Sequence, residues 1–174
     1  GWNGNLSGRI STANGERTWH AHVGWSGERW AFVSSISRNN YGQMVMGSRG
    51  PKEYLRSEYV ERQGNEDVIV ETSDPQRQQP SAFDQWHTMH KVNYKPGKHW
   101  RASYAFYWSE TSDYARYDRH LRTRQELPRY GRWDYGPQQW SMHRLSLSHQ
   151  KNSPLYDQWR LIVARQDFGE SRIT

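Results

Sequence analysis

Arginine, tyrosine and aspartate crowd one polar stretch of the chain, Arg116-Tyr117-Asp118-Arg119, and Tyr130 and Trp133 follow it. Guanidinium groups grip carboxylates through paired hydrogen bonds and stack on aromatic rings. Together with Tyr and Trp they suit a flat, carboxylate-bearing ligand, so Arg116, Tyr117, Arg119, Tyr130 and Trp133 are the candidate ligand-binding residues. A simpler structural role competes with this one. Asp118 lies between two arginines and would pair with one of them, which makes the cluster a brace where a strand meets its loop.

Other residue types offer less. His20-x-His22 sets two imidazoles on one face of a strand, as zinc or copper would need, but no third ligand is identifiable and no metal is assigned. His120 lies in the same polar stretch as the arginines, within reach of a ligand bound there, with a solvated loop histidine as the simpler reading. Asp113, Asp118 and Asp134 suggest paired carboxylates for acid–base chemistry. No nucleophile, base and orienting group can be assembled around them, so the chain is not read as an enzyme, and no cofactor is assigned.

These residues must be positioned by something. From Trp100 to Trp108 the chain alternates Trp, Ala, Tyr, Phe, Trp against Arg, Ser, Ala, Tyr. A period of two is a β-strand, and one of its faces is large and aromatic. Soluble strands usually run ~5–6 residues with hairpin loops of ~2–5. A strand of ~9–11 residues followed by a long loop is the pattern of a transmembrane β-barrel. Seven such strands are expected, near 5–13, 17–25, 29–39, 85–95, 100–110, 139–149 and 158–168. Asn14-Gly15 predicts a tight two-residue hairpin turn. Two long segments, about 41–84 and 111–138, separate strands that elsewhere are joined by short turns. Alternate turns of an antiparallel meander fall at opposite ends, which predicts both long segments at one end. Within 41–84, Val68-Ile69-Val70 predicts a local strand. That segment carries 5 basic and 8 acidic residues, net −3, and 111–138 carries 6 and 4, net +2.

Composition agrees. Only 33% of the 174 residues are hydrophobic, yet there are 10 Trp and 11 Tyr. Disordered chains are poor in aromatics, and a soluble core needs Leu, Ile and Val. An outer-membrane barrel has a polar inner face, a single apolar outer layer and aromatic rims. No apolar run approaches the length of a membrane helix. The absence of cysteine excludes disulfide and zinc-finger frameworks. The net charge of +6 would suit nucleic acid, but no nucleic-acid-binding motif is present, and none is assigned as a partner. The N-terminus has no leader pattern, which an outer-membrane protein requires, so an internal or mature fragment is expected. Seven strands are also an odd number and leave two open edges, so a barrel would need further strands.

Three stretches resemble one family. SDYARYDR (112–119) with WDYGPQQW (133–140), EYVERQGNEDVIVETSDP (58–75) and ARQDFGESRI (164–173) resemble, in order and spacing, the TonB-dependent outer-membrane receptors of the Bacteroidota, of the heme and hemoglobin type. The resemblance covers nearly the whole chain. It implies an all-β antiparallel transmembrane segment of about seven strands. That segment would be part of a 22-stranded barrel plugged by an N-terminal domain. Residues 1–174 would be the early part of the barrel, without the plug and without the later loops that carry the FRAP and NPNL motifs. The implied function is uptake of an iron complex, heme or similar ligand across the bacterial outer membrane. The implied partners are outer-membrane lipid, the rest of the barrel and plug, and TonB through that plug. Two other functions fit the composition: a soluble β-rich carbohydrate-binding module with Trp and Tyr as sugar platforms, and an outer-membrane barrel that translocates protein.

Overall fold

The computed structural model describes residues Gly1–Thr174 and is built on one antiparallel meander. Its strands are β1 (Trp2–Ser11), β2 (Glu16–Ser26), β3 (Trp30–Tyr41), β4 (Phe83–Tyr94), β5 (Trp100–Thr111), β6 (Gln138–Gln150) and β7 (Gln158–Gly169). Each pairs only with its neighbours in sequence. Six of the seven start and end within about two residues of where the alternation places them. β1 begins earlier, at Trp2, because Trp2 pairs with Trp25 and adds a rung beyond the alternating run. The sheet does not close: β1 and β7 are both free edges.

Residues 42–82 and 112–137 leave the sheet at one end, together with the β1–β2 connection. The short connections 27–29, 95–99 and 151–157 lie at the other end. The two long segments meet each other, the Arg132–Asp113 pair of one bordering a cavity shared with Tyr59 of the other, and the Ser112 amide donates to the Asp84 carbonyl of β4 at 2.9 Å. The β1–β2 connection differs from the tight turn expected at Asn14-Gly15. Ser11 pairs with Glu16, so four residues form the loop, and only Gly15 has positive φ. Asn14 instead uses its side chain, whose Oδ1 accepts from the Glu16 amide at 3.3 Å. Gly15 packs against Gly42 of the next connection so closely that a Cβ there would lie 3.3 Å from the Gly42 Cα.

Register divides the sheet into two chemically different faces, since paired residues share a face. One face carries, row by row, Trp2 with Trp25 and Phe32; Trp30 with Tyr94; Val92 with Tyr104, Leu145 and Val163; and Ala102 with Leu147 and Leu161. The other carries His20 with Ser37 and His87; Arg144 with Ala105 and Lys91; and Arg101 with Ser148 and Arg160. No second layer covers the aromatic face. Trp30, Leu145 and Val163 are 49%, 54% and 57% exposed, and Ala105 is the only buried apolar side chain. A soluble domain of this length would bury roughly two thirds of the surface its unfolded chain exposes. Here there is no interior to bury it in.

Aromatic rings border the apolar face at both ends. Toward the short turns stand Trp2 and Trp25, then Trp30 stacked on Tyr94 at 4.1 Å, then Trp100 and Trp159, which meet edge to face at 5.5 Å across His149. Each successive group sits two residues closer to the turns than the one before. Toward the loops stand Trp19 and Trp86, 5.8 Å apart with Arg38 over the Trp86 ring, and Trp108. Two pairs of polar side chains between these rims bond to each other. Ser34 Oγ and His90 Nδ1 share a hydrogen bond of 2.9 Å, as do the Tyr104 hydroxyl and His143 Nδ1 at 2.8 Å.

Candidate ligand-binding loops

The first long segment folds on itself. Met44–Val45 pairs with Arg77–Gln78 near the sheet, and a hairpin of Glu58–Gln63 with Glu66–Glu71 projects beyond. Val68, Ile69 and Val70 lie in that hairpin's second strand. Gly64, at φ +63, supplies the left-handed turn residue that its tip requires. The second segment begins with Tyr114–Ala115, which pairs with Asp134–Tyr135, and that strand in turn pairs with Arg172–Ile173 from beyond β7. Between them lie a helical turn, Tyr117–His120, and a small hairpin of Thr123–Arg124 with Leu127–Pro128.

Three of the five candidate residues come together. The Arg116 and Arg119 guanidinium carbons lie 5.1 and 5.5 Å from the Trp133 ring centre, and Trp133 meets Tyr135 edge to face at 5.1 Å. Arg116 Nε donates to Asp118 Oδ1 at 2.8 Å, and its Nη1 donates to the Tyr135 hydroxyl at 3.3 Å. The hydrogen bond to Asp118 holds the Arg116 guanidinium above its ordinary pKa. Arg119 approaches the same carboxylate at 4.0 Å. The Arg116 amide also donates to the Trp133 carbonyl at 2.9 Å, so backbone and side chains tie the two arms of this loop together.

Tyr117 and Tyr130 are elsewhere. Tyr117 is half-buried and lines a cavity of about 350 Å³ with Arg56, Tyr59 and His120, between the two long segments. Burial pushes its phenol above the ordinary value, and the Arg56 charge offsets part of that shift. Tyr130 lies under the Arg129 guanidinium, 5.2 Å from ring centre to guanidinium carbon, beside Arg132 and Thr174.

Each carboxylate considered for acid–base chemistry is engaged by an arginine. Asp118 takes Arg116, and Arg132 bridges Asp113 and Asp134, the latter at 2.5 Å from Nε. The hydrogen bond to Asp134 raises the Arg132 pKa above its ordinary value. His120 Nε2 lies 3.8 Å from the other oxygen of Asp134, and the imidazole is almost wholly buried. His20 Nδ1 shares a 2.7 Å hydrogen bond with Ser37, and the His20 and His22 rings are 5.8 Å apart. The Asp113–Arg132–Asp134 bridge had no signal in the sequence beyond the alternation of Arg132 and Asp134. Arg56 and Tyr59 join the cavity of Tyr117 only because the two loops pack together. No protein-family model matches the chain, and comparison with curated proteins and with solved structures finds no match.

Proposed function

We propose that the chain is a stretch of transmembrane β-barrel wall from an outer-membrane receptor of the TonB-dependent type, which takes up an iron complex, heme or a similar anionic ligand. The observation that carries this reading is the uncovered apolar face, bounded at both ends by Trp and Tyr, on a sheet whose other face is polar. Such a surface is costly in water, and an apolar layer between aromatic rims is what lipid contact requires. The internal pairing of Ser34 with His90 and of Tyr104 with His143 supports it, because hydrocarbon offers polar groups no other partner. The grouping of both long segments at one end supports it too, since such barrels carry long loops outside and short turns inside. A soluble carbohydrate-binding module would need a layer over the aromatic face, and no element supplies one.

Brominated acyl chains test the lipid contact. Tryptophan fluorescence of the protein in vesicles should be quenched strongly by lipids brominated near the headgroup, where the rims would sit. Absence of quenching at every bromine depth would remove the membrane reading.

The loop arginines are tested separately. Arg116→Ala with Arg119→Ala strips both cations from Trp133 and the partner from Asp118. For capture of an anionic ligand, hemin binding should weaken at least tenfold with the barrel still inserted. For a brace, the loop should lose amide-exchange protection around 114–135 with hemin binding no more than threefold altered. Neither change would remove both roles.

A further inference from the structure

Four cations form a frame on the polar face, near the short turns. Lys91 and Arg144 flank Ala105 in one cross-strand row. Arg101 and Arg160 flank Ser148 in another, four residues closer to the turns. With strands ~4.8 Å apart and a rise of ~3.4 Å per residue, the frame, skewed by one strand, measures about 10 by 14 Å between backbones. Ser103 and Ser146 lie in the row between, and Ser146 is buried. The four cations and these serines line a concavity of about 440 Å³.

None of the four cations is in an ion pair. The register also places no carboxylate on this face of β3 to β7. Asp84, Glu110 and Asp167 pair with Asn40, Trp86 and Ser141, all on the opposite face. Glu28 and Asp157 lie in the neighbouring turns and pair with none of the four. Like charges are therefore held about one Debye length apart with no local counter-charge. Guanidinium forks match carboxylate and phosphate oxygens, the ammonium of Lys91 adds a point charge, and serine hydroxyls can donate to the oxygens left over.

We propose that this frame is a binding site for a compact polyanion carrying at least two carboxylate or phosphate groups. A single charge would engage one side of the frame; two or more span it. The site is at the other end of the sheet from the loop arginines, and it depends on the register of β4 to β7 rather than on the membrane reading.

Calorimetric titration of the detergent-extracted protein with pyrophosphate, and separately with citrate, tests it. Saturable binding is expected for at least one of them, at least tenfold tighter than for acetate. Arg101→Gln with Arg144→Gln should weaken it at least tenfold, whereas Arg165→Gln, on the aromatic face, should leave it unchanged. Should the double variant fail to fold, Arg160→Gln on the edge strand takes its place, with at least threefold weakening expected. Affinity indifferent to these changes, or equal affinity for acetate, overturns the proposal. So does a folded protein that binds neither polyanion. In that last case, a loss of thermal stability in the double variant would mean that an acidic segment of polypeptide holds the frame permanently.

Discussion

Leu145→Arg is expected to destabilise the protein in phospholipid vesicles by ~2–4 kcal/mol, the cost of an arginine on the lipid face of a barrel near mid-depth. Leu145 faces Tyr104 and Val163, is 54% exposed and makes no polar contact, so the substitution removes no hydrogen bond. Tyr104→Arg should cost a similar amount and additionally release His143. On a surface bathed in water the same changes would fall within about 0.5 kcal/mol of neutral. The two environments thus differ by a factor of roughly 10 to 1000 in the folding equilibrium, since each 1.4 kcal/mol is about tenfold. Denaturant titration in vesicles reads the difference. Ser35→Arg, on the polar face between His22 and Met89, is the control and should cost little. A neutral Leu145→Arg would sink the lipid assignment of the aromatic face.

The second large effect concerns the 174 residues by themselves. β1 and β7 each leave one row of backbone N–H and C=O groups unpaired, about half of those on the strand. In hydrocarbon each such group costs several kcal/mol, and in water the aromatic face has nothing to pack against. The isolated chain in detergent-free buffer is therefore expected to aggregate or remain unfolded. In the membrane both edges should be paired with further strands. Sedimentation and far-ultraviolet circular dichroism at several concentrations decide it. A soluble monomer with a cooperative unfolding transition would overturn the prediction and, with it, the proposed wall.

The sheet was legible because a period of two survives in the sequence wherever one face is uniformly large and apolar. In 100–111 the alternation alone sets the strand and its two faces. The loops obey no such rule. Val68-Ile69-Val70 signals a strand, but its partner Glu58–Gln63 carries charge at three of six positions and shows no period. The turn chemistry misled in both directions. Asn14-Gly15 predicts a tight turn and forms part of a four-residue loop. Gln125 and Glu126 carry no turn signal, yet both sit at positive φ, at 51° and 66°, between the paired Arg124 and Leu127. That conformation costs a non-glycine residue ~1–2 kcal/mol and is held by the surrounding hairpin rather than by propensity.

At the candidate site, the pairing of Arg116 with Asp118 is readable from their spacing. The separation of Tyr130 from Trp133 is not: Tyr130 lies under Arg129, whereas the strand that follows Trp133 pairs with Tyr114–Ala115. Arg172 reaches the Tyr135 ring, at 5.7 Å, from the far side of β7, where no local pattern could announce it. The cation frame shows the same limit. Lys91, Arg101, Arg144 and Arg160 are scattered along the chain, and only the register brings them onto one face.

The stepped line of aromatic residues near the short turns fixes how the sheet would stand in a bilayer. The line descends two residues from Trp25 to Trp30 and two more from Tyr94 to Trp100, with Trp159 level with Trp100, an average close to one residue per strand. If those rings mark one depth, a rise of ~3.3 Å per residue against a spacing of ~4.8 Å per strand inclines the strands about 35° from the membrane normal, within the range that closed barrels need. On β4 and β5 the two aromatic borders are eight residues apart, Tyr94 to Trp86 and Trp100 to Trp108. Eight residues cover about 26 Å of strand, and at this inclination about 22 Å of vertical height, close to the ~25 Å hydrocarbon belt of outer-membrane barrels. The offset also constrains any neighbour. A strand adding to β7 must carry its own border residue about one position further along, or its apolar side chains would be lifted out of the lipid.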